Sequence, residues 1–318
     1  MKRLLTIILS FIIVFALTAC TEETSTLEVT TTEEVTTTEA LEPSSVMVPN
    51  GAPALAQVFM QDNEDYVVDV VNGADPLVAA FGSGSHDFIF APTNLGAKLY
   101  NSGIEYQFIA AVTFGNYYLV SMEEDFTLDS LEGKEIVVFG QTATSDIVLQ
   151  YVLNENEINA TFTYVDSVAT ANSAFIADDT KIILSAEPLL SVLGLSVSGF
   201  NTIDLQAEYE NLTGESSYPQ AGVFAKASLS DAEVARFLSD LEDSVDMVQT
   251  DVAAAVAKAG ELEYSFPAAV LTTAIPNSNI DFVTAQDVRT DLELYFNIIL
   301  EMNSALLGDN LPDDDFYN

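Results

Sequence analysis

Tyr106-Gln107-Phe108-Ile109-Ala110-Ala111-Val112-Thr113-Phe114-Gly115-Asn116-Tyr117-Tyr118-Leu119-Val120 is a long β-rich run with a break in its middle. Aromatic and β-branched residues on both sides favour strands, while Gly115 weakens a strand interior. Its position predicts a bend or a crossing point between two sheets. The flanking sequence repeats one grammar: a short apolar run, a turn carrying Gly, Pro or Thr, then a helix-like stretch. Strand, loop and helix in that order predict a parallel sheet.

Upstream, Val46-Met47-Val48 leads through Pro49-Asn50-Gly51-Ala52-Pro53 into a helix over Ala54 to Gln61, with Pro53 suited to a first helical turn. Tyr66 to Val71 leads through Asn72-Gly73-Ala74-Asp75-Pro76 into a helix reaching Phe81, and Phe88-Ile89-Phe90 leads through Ala91-Pro92-Thr93-Asn94 into Leu95 to Tyr100. Downstream, Glu135 to Phe139 precedes the turn Gly140 to Ser145 and a helix over Asp146 to Leu153. Thr161 to Val165 and Lys181 to Leu184 add strands, the second ending in Ser185-Ala186-Glu187-Pro188 at a helix start. Tyr218 to Ala225, with Gly222 inside it, reads as a second crossing strand. Helices follow over Ser230 to Asp246, Thr250 to Ala259 and Thr284 to Leu307, the last with Val288, Leu292, Phe296, Ile299 and Leu300 on one face. The expected fold is α/β with two lobes, residues 46–116 with 219–307 and residues 117–218, joined by two crossing strands and ending in a helical segment. The crevice at the carboxyl ends of such sheets is where ligands bind.

Composition narrows the function. The 318 residues carry 49 Asp+Glu against 9 Lys+Arg, a net charge of −40, with one Cys and one His. That charge repels a polyanion, so nucleic acid is excluded as a partner. One Cys and one His supply neither a disulfide nor a Cys- or His-based metal cluster nor a Ser-His-Asp machine. No catalytic residue, metal or cofactor is assigned. Charged residues are only 18% of the chain and apolar ones 49%, so the acid sits on an ordinary globular interior of about 260 residues.

The two ends differ from this body. Lys2 and Arg3, the apolar run Leu4 to Ala16 and the closing Leu17-Thr18-Ala19-Cys20 form a secretory signal over residues 1–19, shorter than a membrane span. The tetrapeptide resembles the lipobox of bacterial lipoproteins, which implies cleavage before Cys20 and its acylation. From Thr21 to Ser45, nine Thr, seven Glu and three Ser fill 19 of 25 positions, a composition that cannot offset the entropy of ordering. Residues 20–45 are thus expected to be an anchored, disordered tether. Gly308 to Asn318, with Pro312-Asp313-Asp314-Asp315, is expected to be a frayed acidic tail, since the spacing of a calcium loop is missing.

Candidate ligand contacts follow from the turns that leave a strand and open a helix, whose free N–H groups can face a cleft: Gly51, Ala52, Pro53, Thr93, Asn94, Thr142, Thr144, Ser145 and Glu187. Each Thr or Ser has helix capping as its alternative role. Asn116 and Tyr117 lie on the crossing run, where Tyr117 is equally suited to core packing and to stacking on a planar ligand. His86, in Gly82-Ser83-Gly84-Ser85-His86-Asp87, reads as a solvated loop residue. No Lys or Arg occupies these turns, so a multiply charged anion would lack a counter-charge. Glu187 with the tyrosines, Asn94 and Asn116 suits an amine or an amino-substituted heterocycle, whereas a monoanion could still be held by backbone donors.

Val48 to Pro53, Asp87 to Asn94, Phe114 to Val120 and Leu131-Glu132-Gly133-Lys134-Glu135-Ile136-Val137-Val138 together resemble the substrate-binding lipoproteins of ABC importers, in the nitrate/sulfonate/taurine and thiamine-pyrimidine-precursor group. The resemblance covers roughly Val46 to Leu307. It implies a two-lobed type II periplasmic-binding-protein fold with a closing cleft. It also implies a monomer, held by lipid on the extracytoplasmic face of a bacterial membrane, that delivers a small solute to a permease and its ATPase. A sulfonate, taurine or nitrate receptor is the alternative ligand class. Enzymes of pyrimidine-precursor and menaquinone synthesis on a similar fold are a further alternative, which the leader disfavours. A sensory or adhesive surface protein without a closing cleft is the third.

Replacing the unique Cys20 with Ser should release the protein from the membrane fraction. A Cys20→Ser protein that stays membrane-bound with a cleaved N-terminus would contradict the anchor.

Overall fold

The computed structural model describes residues 42–215 and 218–318. The signal segment, Cys20 and the tether as far as Leu41 lie outside the described residues. Strand β1 (Ser44–Pro49) begins two residues earlier than expected because the Ser45 amide and hydroxyl both bond the Asp87 carboxylate, at 2.8 and 2.7 Å, and carry the pairing to Ser44. Helix α1 (Ala52–Ala56) is five residues rather than eight and gives way to turns. Strand β2 (Tyr66–Val71), helix α2 (Asp75–Ser83), strand β3 (Phe88–Pro92), helix α3 (Thr93–Asn101) and strand β4 (Tyr106–Phe114) complete the first stretch. The chain then leaves through Gly115-Asn116.

The second lobe holds β5 (Tyr117–Ser121), β6 (Glu135–Phe139), α4 (Thr144–Glu155), β7 (Thr161–Val165), α5 (Val168–Ala177), β8 (Ile182–Ala186), α6 (Leu189–Gly194), β9 (Asn201–Asp204) and α7 (Leu205–Thr213). The chain returns as β10 (Pro219–Lys226), followed by α8 (Asp231–Thr250), α9 (Val252–Glu261), α10 (Ala268–Asn277), β11 (Ile280–Thr284) and α11 (Ala285–Asn303). The first sheet has the order β11-β4-β10-β3-β1-β2 and the second β7-β6-β8-β5-β9. Both are mixed, not parallel. The strands joined by helices, β1 with β2 and β3 and β6 with β7 and β8, pair in parallel. Those entering a sheet from the other lobe, β5 and β10, have no crossover helix to reverse them and pair antiparallel on both sides.

The second crossing differs from expectation. Strand β10 lies wholly in the first sheet, between β3 and β4, and is not itself the crossing. Gly222 therefore serves packing, not rotation: a Cβ there would sit 2.4 Å from the Ala110 carbonyl oxygen. Along β3 the faces alternate. Phe88 and Phe90 meet Phe237 of α8, with the Phe88 and Phe237 rings stacked at 3.8 Å, while Ile89 and Ala91 face the core under α2 and α3. Helices on both faces explain why the strands read as continuous apolar runs. Helix α8 starts at a capping box, Ser230 with Glu233. The described residues form one compact unit.

The acidic tail is ordered, contrary to expectation. Asp313, Asp314 and Asp315 face outward while Phe316 is fully buried against Tyr100, Phe108 and Phe224, and the Asn318 N–H donates to the Phe108 carbonyl at 3.0 Å. Arg289 holds the turn from outside, pairing with Asp314 and lying over the Tyr317 ring. Phe316→Ala should destabilise the fold by about 3–5 kcal/mol, the cost of emptying a buried aromatic site, read from the denaturant midpoint. An unchanged midpoint would mean that the tail frays after all.

Candidate functional site

The break in the long β run is built by three contacts. The Phe114 N–H donates to the Asn279 carbonyl at 2.9 Å, the Asn279 side chain donates back to the Gly115 carbonyl, and a Cβ on Gly115 would lie 2.2 Å from both Gln206 Oε1 and the Tyr218 ring. Only glycine fits between the lobes at this point. Asn116 follows, 4% exposed, and joins the second lobe twice: its carbonyl accepts from the Glu187 N–H at 3.3 Å and its Nδ2 donates to the Glu187 carbonyl at 3.4 Å. The Glu187–Pro188 peptide bond is cis.

Above this junction lies a cavity of about 390 Å³ bounded by both lobes, within the range of small-molecule pockets, about 300–1,000 Å³. The β1–α1 turn contributes Asn50, Gly51, Ala52 and Pro53, and Asn72 comes from the end of β2. The junction contributes Thr113, Asn116 and Tyr117, and β10 adds Gln220. Phe139, Val168 and Glu187 come from the second lobe, and Phe266 from the loop before α10. No Lys or Arg is among the lining residues. Six of the eleven expected contacts, Gly51, Ala52, Pro53, Asn116, Tyr117 and Glu187, thus meet in one space.

The other five face elsewhere. Thr93, fully buried, donates to the Pro219 carbonyl at 2.7 Å, and Asn94 reaches the Leu306 carbonyl at 3.4 Å. The Thr142 N–H donates to the buried Asp146 carboxylate at 2.8 Å, and the Ser145 hydroxyl donates to the Phe139 carbonyl at 2.9 Å. Thr144 stands one layer behind the wall, its hydroxyl 3.3 Å from that of Tyr117. Except for the Thr142–Asp146 bond at the start of α4, these groups tie their turns to other elements of the chain, and neither α3 nor α4 has a side-chain N-cap. His86 bonds Asp69 and Ser85, at 3.0 and 2.8 Å, and does not line the cavity.

Two expected contacts have more specific roles than the sequence indicates. Tyr117 is 7% exposed and packs edge-on to Phe139 and nearly parallel to Tyr218, whose ring in turn lies 5.3 Å from that of Tyr295. It is both wall and core, and burial pushes its phenol pKa up. The Glu187 carboxylate accepts from the Ser191 N–H at 3.1 Å and the Ser191 hydroxyl at 3.0 Å, with a further bond from the Asn277 side chain. Ser191 and Asn277 line a second cavity of about 430 Å³ that Glu187 also borders, so the carboxylate is engaged on that side. Tyr118 donates to the Asn277 carbonyl at 2.9 Å, a second tie between the lobes. Sequence reasoning missed Thr113 and Gln220. Thr113 was findable as the one polar residue between Phe108 and Phe114; Gln220 depends on a β-bulge that no local pattern announces.

Neither a protein-family model nor a curated protein matches the sequence. Solved structures do match. An ABC transporter protein from Parabacteroides distasonis has a TM-score of 0.77 at 20% identity, covering 87% of this chain and 99% of that one. The periplasmic aliphatic sulphonate-binding protein from Escherichia coli has a TM-score of 0.66 at 14% identity, covering 87% and 91%. A putative nitrate transport protein from Thermoplasma volcanium has a TM-score of 0.55 at 12% identity, covering 83% and 94%. At these identities the likeness shows the fold: a two-lobed periplasmic-binding-protein architecture.

Burial holds the Glu187 carboxyl above its usual value of 4.5 despite the bonds from Ser191 and Asn277. The folded chain therefore binds this proton more tightly than the unfolded chain. The resulting stability is complete below a pH of about 4.5 and is lost as pH rises through the raised value. Glu187→Gln removes this loss, so the variant should gain stability over the parent chain between about pH 4 and about pH 7, read from urea midpoints. An equal difference at both pH values would contradict a raised Glu187.

Proposed function

We propose that this chain is an extracytoplasmic solute-binding protein, anchored by lipid at Cys20, that delivers a small nitrogenous solute, neutral or weakly cationic, to an ABC permease and its ATPase. The observation that carries the reading is the cavity between the lobes, with Gly115-Asn116 crossing its floor and walls drawn from both sheets. The structural neighbours, an ABC transporter protein, a sulphonate-binding protein and a putative nitrate transport protein, support the same class. The acidic tether reading of residues 20–45 and the Cys20 lipobox supply the location. The body acts as a monomer that closes on its ligand.

The choice of solute rests on the lining. Amides from Asn50, Asn72, Asn116 and Gln220 and rings from Tyr117, Phe139 and Phe266 suit a planar, polar heterocycle such as a thiamine pyrimidine precursor. The sulphonate-binding neighbour favours a second reading, a monoanion held by the first-turn N–H groups of the β1–α1 turn, but no basic side chain lines the space to assist it.

A thermal-shift screen over thiamine precursors, riboflavin, polyamines, sulfonates and nitrate separates these readings. A true ligand at 100 times its dissociation constant adds about 2.7 kcal/mol of stability, and small-angle scattering should then show a smaller radius of gyration as the lobes close. Stabilisation by a sulfonate or nitrate alone would favour the second reading. A hit that leaves the radius unchanged would contradict a closing receptor.

A further inference from the structure

Three polar side chains at the junction form a line whose bonding direction is fixed from one end. The main-chain carbonyl of Glu187 can only accept, so Asn116 must turn its Nδ2 toward it. Asn116 Oδ1 then faces the opposite way, where the Gln220 Nε2 donates to it at 3.1 Å. That bond uses one of the two N–H groups on Nε2 and leaves the other amide atom. That atom, Oε1, is buried and has no hydrogen-bond partner among the described residues. The Thr113 Oγ1 is in the same condition, on a residue 1% exposed. Both residues line the cavity between the lobes.

The backbone explains why these two come together. Across the β4–β10 ladder Phe114 pairs with Pro219 and Thr113 with Ala221, which leaves Gln220 as the extra residue of a bulge. A bulge re-aims a side chain, and Gln220 joins Thr113 in lining the cavity. Phe114, the next residue of β4, faces a different cavity, as strand alternation requires. Two buried oxygens without partners are costly in a well-packed junction. Both residues border the cavity, so a small shift of either side chain would bring its oxygen within reach of a solute there.

Resting on the receptor reading above, we propose that Thr113 and Gln220 determine specificity and that the solute presents N–H donors, the amino or amidine nitrogens of a planar ring, to their two oxygens. The Thr113 hydroxyl can either donate or accept, but Gln220 Oε1 only accepts. A sulfonate or nitrate, whose oxygens also only accept, would face Oε1 with no bond to make. This selects an aminated heterocycle over an anion without calling on the Glu187 carboxylate.

Calorimetry on the detergent-solubilised full chain tests this with three probes: 2,4-diaminopyrimidine, 2,4-dimethylpyrimidine, which has the same outline without N–H groups, and methanesulfonate. The diamino compound should bind at least about tenfold more tightly than the dimethyl compound, with methanesulfonate weaker still. Thr113→Val and Gln220→Leu should each weaken diaminopyrimidine about tenfold, and Thr113→Ser should restore it. Thr113→Val should also melt no lower than the parent chain, since it deletes an unpaired buried hydroxyl, which separates lost recognition from lost folding. Equal binding of the two pyrimidines, or diaminopyrimidine affinity untouched by both substitutions, would overturn the proposal. Methanesulfonate bound as tightly as diaminopyrimidine would overturn the donor assignment while leaving a solute receptor standing. No response to any probe at millimolar concentration would sink both.

Discussion

The Glu187 N–H donates to the Asn116 carbonyl while the Asn116 side chain donates to the Glu187 carbonyl, and this two-way exchange links the end of β8 to the point where β4 becomes β5. It sets where the second sheet sits relative to the junction and which way the Asn116 amide points. Gly115 makes the exchange possible, because any Cβ would strike Gln206 and Tyr218 and move Asn116 out of reach. The cavity, its polar line and the tyrosine stack beneath it all follow from that arrangement. Asn277 adds a separate tie from α10, bonding Glu187 and Tyr118, beside a buried apolar cluster that runs through both lobes.

The order of elements was legible because local chemistry and tertiary structure agree there. Strands β2, β6 and β7 match the expected runs at both ends, since each is a short apolar stretch between a turn and a polar flank. Strand β9 was not legible. Its Asn201-Thr202-Ile203-Asp204 buries one residue, as an edge strand does, and offers no pattern. The same limit hid the mixed character of the sheets, because antiparallel pairing of β5 and β10 comes from how the chain changes lobes and not from any residue within them. The acidic tail was misread for a physical reason as well. Three aspartates dominate its composition, but Phe316 and Tyr317 are both buried, and Phe316 packs against Phe296 of α11.

The site was half legible. Turns between a strand and a helix were correctly expected to approach the cleft at Gly51 to Pro53 and at Glu187, yet the equivalent turns at Thr93 and Thr142 direct their polar groups into the protein. Nothing local distinguishes these cases: the difference is which strand ends meet across the gap. The absence of basic side chains was visible in composition and persists in the lining, where a net charge of −40 and nine cations leave little means of holding an anion except backbone dipoles. What sequence could not supply was direction. The polarity of the Glu187, Asn116 and Gln220 line depends on three residues 71 and 104 positions apart, and only their assembled geometry shows that its open end is an acceptor.

Native mass spectrometry of the protein purified without refolding reads the central claim most directly. The account predicts a bound small molecule, released on denaturation, whose accurate mass gives a nitrogen-rich formula with exchangeable N–H hydrogens. A released sulfonate, or any other solute that carries only acceptor oxygens, would contradict it.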